Sequence, residues 1–157
     1  MSDFLGPSES LVAFVPRVSL LSIGYSELSA TASDLPAEAP ESDAFDVDPE
    51  YTLNVAIHPS EPRFGLRLRV DIEGPFGVLH VETQADYEAD GIEQSALSNA
   101  LLVEYANHVG LFAMVPYARQ AIADLSLRVF GSPLLMPTMQ RGDLTFPSDA
   151  LETRPTR

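Results

Sequence analysis

The chain is 157 residues long, a length that suits one domain, and 45% apolar residues against 20% charged ones give it material for a core. Nine cationic residues against 23 acidic ones leave a net charge of −14, which makes a nucleic-acid backbone or an anionic membrane a poor partner. All nine cations are arginine and cysteine is absent, so lysine Schiff bases, thiol catalysis, disulfides and thiolate metal sites are excluded, in keeping with a reducing, cytoplasmic setting.

Residues 1–10 are polar and carry Gly6 and Pro7, the composition of a disordered N-terminus. The apolar stretch from Leu11 to Leu28 has no basic residue ahead of it and is split by Pro16 and Arg17, so it reads as neither a signal peptide nor an inserted membrane segment. Within it Leu21, Ile23 and Tyr25 alternate with Ser22, Gly24 and Ser26, the period of two of a half-buried strand. From Ser29 to Glu50 there are seven acids, three prolines and no base, which predicts an extended acidic crossover loop over 29–50, with Phe45 as its aromatic residue.

Period-two alternation returns in Tyr51, Leu53, Val55 and Ile57, and again in Phe64, Leu66, Leu68, Val70 and Ile72, whose opposite face holds Arg67, Arg69 and Asp71. A turn at Glu73-Gly74-Pro75 leads into a fourth strand with Leu79, Val81, Thr83, Ala85 and Tyr87 on one side. The short connections make strands two to four an antiparallel meander. Val18 and Leu20 of the first strand, with Phe76 and Val78 of the fourth, add apolar groups on the opposite side. Such two-sided strands at sheet edges read as an oligomer interface.

After Asp90 and Gly91 the period lengthens. Leu97, Leu101, Tyr105 and His108 fall at helical spacing, as do Leu111, Val115, Ala118, Ile122, Leu125 and Val129. Gly110 and Pro116 mark a break between two helices or a kink in one, Asp124 and Arg128 form an i,i+4 pair, and Gly131-Ser132-Pro133 stops the helix. Residues 140–157 have no periodicity and read as an irregular or disordered tail. Four strands followed by helices predict an α+β fold, a four-stranded antiparallel sheet with helices packed on one face, as a single domain over 11–139.

No enzyme motif emerges. His58, His80 and His108 match no metal-binding spacing and read as structural or surface groups, and no nucleophile elbow or phosphate-binding glycine loop is present. The carboxylates of the acidic loop read as a solvated charge run. Tyr105, Phe112, Met114 and Tyr117 do not all fit the helical stripe, so some of them point to a second surface, and Met136 and Met139 supply flexible apolar groups just beyond the helix.

The run Leu111-Phe112-Ala113-Met114-Val115-Pro116-Tyr117-Ala118-Arg119, followed by Gly131-Ser132-Pro133-Leu134-Leu135-Met136-Pro137, resembles the SecB export-chaperone family. There a helix carries an aromatic-Pro-Tyr-Ala-Arg segment and ends in a Pro-rich apolar stretch, and the order of strand, long loop, meander and helix also matches. The resemblance implies a SecB-like fold that assembles as a dimer of dimers, uses no cofactor, performs no catalysis and holds unfolded polypeptides in an apolar groove. Carried onto this sequence, the client-binding candidates are Phe45, Tyr51, Phe112, Met114, Tyr117, Met136 and Met139. The implied client is an unfolded preprotein or an antitoxin, since the Pro-marked tail is similar to that of SecB-like chaperones of toxin–antitoxin modules. Members that dock on the export motor ATPase show carboxylates along the first strand. Ser22 and Ser26, with Glu27 alone near the strand's end, argue against that partner. The residues by themselves leave open a small-molecule-binding protein or enzyme with a closed pocket between sheet and helix.

Overall fold

The computed structural model describes residues 6–34 and 48–148, and Phe45 lies outside them. A short helix α1 (Glu9–Phe14) and a 3-10 turn lead into β1 (Val18–Ala32), then β2 (Glu50–Ile57), β3 (Arg63–Gly74) and β4 (Gly77–Ala89). Helix α2 (Asn99–Tyr105) passes through a π-helical turn, Ala106–Gly110, into α3 (Leu111–Phe130). The four strands form one antiparallel sheet in the order β1-β4-β3-β2. This is the expected α+β arrangement, with the meander as predicted and β1 returning to pair with β4.

The sheet is one-sided because its sequence is. Phe64, Leu66, Leu68, Val70 and Ile72 of β3 and Leu79, Val81, Ala85 and Tyr87 of β4 are buried in alternation with polar neighbours, and helix residues Leu102, Met114, Ala118 and Ile122 close over them. Each such aliphatic side chain contributes about 1.5–3 kcal/mol by leaving water. The outer face is held by polar groups instead. Arg69 bridges Glu27 of β1 and Asp71, and Asp71 also meets His80.

Several expectations are corrected. The N-terminus is ordered from the helix cap onward: the Ser8 hydroxyl accepts from Leu11 N–H at 3.2 Å, and Ser8 donates to both carboxylate oxygens of Glu104 at 2.7 and 2.8 Å. This seats Leu11 and Phe14 in the core. The crossover is shorter than 29–50 because Ser29–Ala32 continue β1 and Glu50 begins β2. Bulges at Leu21 and Ser26 reset the alternation of β1, so that Leu20, Ile23, Tyr25 and Leu28 pair with the inward positions Tyr87, Ala85, Thr83 and Val81. The fourth strand is interior, not an edge, and Phe76 packs on Phe130 at 4.8 Å. Of the two helices or one kinked helix expected around Gly110 and Pro116, the structure has one continuous helical run with a π turn that ends at Gly110, and Pro116 lies inside α3. Gly110 lets that turn approach the sheet, since a Cβ there would lie 2.7 Å from Leu66 Cδ1. The ion pair of Asp124 with Arg128 forms at 3.2 Å, and α3 ends at Gly131.

Four aromatic rings tie α1, the sheet and α2 together. Phe64 stacks on Tyr87 at 5.0 Å, and Tyr105 meets Phe14, Phe64 and Tyr87 edge-on at 5.8, 5.6 and 5.3 Å. Burial drives the Tyr105 hydroxyl up to about 12 and that of Tyr87 well above its usual value, with Tyr105 and Asp86 adding to the latter. A tyrosine whose pKa rises on folding stabilises the fold fully below its unfolded value of 10.0, and that contribution is lost as pH climbs toward the folded value. Stability measured by urea denaturation is therefore expected to fall between about pH 10 and pH 12, and Tyr105→Phe to flatten that fall. An unchanged alkaline slope in Tyr105→Phe would contradict the assignment.

Candidate functional site

Beyond α3 the chain turns back as an irregular strap over residues 131–148, fixed by polar contacts at intervals. The Ser126 hydroxyl, fully buried, donates to Ile122 O at 2.6 Å and accepts Leu134 N–H at 2.7 Å. Arg119 Nη2 donates to Pro137 O at 3.3 Å. Asn107 in the π turn clasps Phe146 through both its backbone groups, each at 2.9 Å. The described part of the predicted tail is thus irregular, as expected, yet Leu144 and Phe146 pack half-buried on the core.

Between strap and helix lies an open cleft of about 110 Å³, walled by Phe112, Val115, Pro116 and Arg119 from α3 and by Met139, Arg141 and Leu144 from the strap. The guanidinium of Arg141 lies over the Phe112 ring at 5.1 Å. A smaller hollow of about 30 Å³ adjoins the strap where Met136 and Leu135 face Pro49, at the end of the crossover, and Ile72. A wider hollow of about 310 Å³ over Gly65 on the outer sheet face is lined by Leu21, Ala56, Phe64 and Tyr87 together with the polar groups of Ser22, His58, Arg63 and Asp86. Among the described residues no group of at least three His, Asp or Glu side chains is placed to hold a metal ion.

The structure divides the candidate residues. Phe112, 48% exposed, and the half-buried Met139 face the cleft. Tyr51 on β2 stands near enough to Arg119 to feel its charge: burial raises the Tyr51 pKa and the guanidinium opposes that rise. Met136 is nearly buried against the core at the smaller hollow. Tyr117 is exposed and turns toward β1, where its ring lies 6.0 Å from that of Tyr25 and its carbonyl accepts the Tyr25 hydroxyl at 2.8 Å. Met114 is a correction. It is 0% exposed, because it stands three residues after Leu111 and four before Ala118 and so shares their inward face. Val129 leaves the predicted stripe for the surface, and Ser126 takes an inward position instead. Arg119, Arg141, Asn107 and Ser126 were not among the candidates. Only Arg119 carried a signal, as the last residue of the Pro-Tyr-Ala-Arg segment.

A second surface opens on the β1 side of α3. No residue of the 15 in β1 is buried, and Leu20, Tyr25 and Leu28 of β1 are exposed, as are Tyr117 and Leu127 of α3. No helix among the described residues is long and apolar enough to cross a membrane.

The sequence matches no protein-family model. No curated protein matches it either. Among solved structures it is similar to the SecB-like chaperone Rv1957 of Mycobacterium tuberculosis, in complex with a ChAD peptide from the HigA1 antitoxin Rv1956. That likeness has 20% identity, covers 85% of this chain and 100% of that one, and reaches a TM-score of 0.65. A protein of unknown function from Streptococcus agalactiae is more distant, at 14% identity, 77% of this chain, 97% of that chain and a TM-score of 0.45. The fold is therefore the SecB-like one, as the strand order and helix segment implied.

The division between cleft and core has a direct consequence. Phe112→Asp places a carboxylate at the cleft surface and is expected to leave the fold intact, whereas Met114→Asp buries an unpaired charge and costs roughly 4 kcal/mol or more. Equal denaturant midpoints for the two variants would contradict this placement.

Proposed function

We propose that the protein is a SecB-like holdase that grips unfolded polypeptide segments in the cleft between α3 and the strap. The observation that carries this reading is the exposed Phe112 ring of α3, with the half-buried Met139 and Leu144 beside it, in a cleft under a strap fixed by Ser126, Arg119 and Asn107. An unfolded client offers apolar side chains without a fixed order, and a flexible methionine beside an aromatic ring accommodates them without reading sequence.

The similar M. tuberculosis chaperone holds an antitoxin peptide, which supports an antitoxin segment as client here. The exposed apolar face of β1 and α3 supports assembly of identical chains, with a tetramer as the working unit. The reading places the protein in the cytoplasm and assigns it no catalysis. A closed small-molecule pocket between sheet and helix lacks room, since Leu66, Leu68, Leu102, Met114 and Ile122 fill that space. Docking on an export motor has little support: Ser22 and Ser26 of β1 are bonded to Asp86 and Glu82, and the Glu27 carboxylate is engaged by Arg69.

Light scattering of a chemically unfolded client during dilution tests the proposal. Suppression of aggregation at a stoichiometric amount of tetramer is expected, with Phe112→Asp suppressing clearly less at equal fold stability. No suppression by the wild-type chain, or a monomer in native mass spectrometry, would count against it.

A further inference from the structure

Resting on that holdase reading, we propose that the cleft selects client segments in which a carboxylate side chain neighbours the apolar residues, with Arg119 as its anchor and Arg141 as a second charge. Of the seven described arginines, Arg63, Arg69 and Arg128 each have a carboxylate partner, and Arg17 and Arg67, which do not line the cleft, have none among the described residues. Arg119 and Arg141 both line the cleft, and among the described residues neither has one. Two unpaired guanidiniums on one apolar cleft form a positive island in a strongly negative molecule.

Arg119 is also incompletely bonded. Its guanidinium carries five N–H donors in one plane. Nη2 makes a long contact of 3.3 Å to Pro137 O, and Nε is sealed from solvent with no acceptor at all. A buried donor without an acceptor is costly, and a carboxylate is the group whose two oxygens match a guanidinium edge. A client carboxylate that displaces the Pro137 carbonyl takes Nη2, and it reaches the orphaned Nε as the groups that cover that nitrogen move aside. Arg141 engages the face of the Phe112 ring, a contact that uses no hydrogen-bond acceptor and leaves its charge available to the same segment. The rest of the molecule repels acidic segments, so attraction confined to the cleft discriminates by position as well as by charge.

The test uses two fluorescein-labelled peptides of one apolar sequence, carrying Glu or Gln at a central position, titrated with the full chain and followed by anisotropy. The Glu peptide is expected to bind about tenfold tighter, as charge-assisted bidentate bonds allow, and added salt to narrow the difference. Arg119→Gln is expected to bring the ratio of the two affinities to about one, and Arg141→Gln to reduce it, with thermal melts confirming that both variants fold. Equal binding of the two peptides by the wild-type chain, or tighter binding of the Gln peptide, would overturn the anchor while leaving the holdase reading in place. Binding of neither peptide would overturn both.

Discussion

A sheet of four strands needs more cover than one layer of helix provides, and in this chain the shortfall is concentrated at β1. That strand is 15 residues long, is paired along only one edge, and contains no buried residue. Of its inward positions, Leu20, Tyr25 and Leu28 are exposed, while Ile23 is half-buried against the core. A lone chain therefore leaves these three apolar side chains exposed to water. In the proposed assembly an identical chain covers this surface.

Helix α3 separates two surfaces of different make. On the β1 side, Tyr25 and Tyr117 join strand to helix, and the neighbouring Leu20, Leu28 and Leu127 are exposed. On the other side the strap is held by side chains that bond its backbone: Ser126 at Leu134, Arg119 at Pro137, Asn107 at Phe146. Polar staples hold the strap without requiring its apolar side chains to sink into the helix. Phe112 and Met139 are thus kept apart across a cleft when direct packing would have closed it. The aromatic cluster of Phe14, Phe64, Tyr87 and Tyr105 lies beneath, rigid enough to seat the π turn from which Asn107 projects.

Where a single period governs a segment, the sequence was sufficient. The inward faces of β2, β3 and β4 follow from unbroken alternation, and the helix end follows from Gly131. Failures occur where one residue changes the phase. The bulges at Leu21 and Ser26 exchange the faces of β1, which no composition signal marks. Helix α1 is too short to show a period, although Ser8 three residues before Leu11 is a capping position. Met114 resembled a groove residue by type, while helical geometry places it inward. The cleft was half legible. Phe112 and Met139 were nominated by chemistry and proximity, but the arginines that give it charge become visible only once strap and helix lie side by side.

The central claim is that an unfolded chain is gripped between α3 and the strap, and hydrogen exchange with and without a bound unfolded client addresses it directly. Slowed exchange is expected in residues 111–119 and 136–146, with the outer-face strand segment around Arg67 unchanged. Protection confined to the outer sheet face, or none in the strap, would contradict the account.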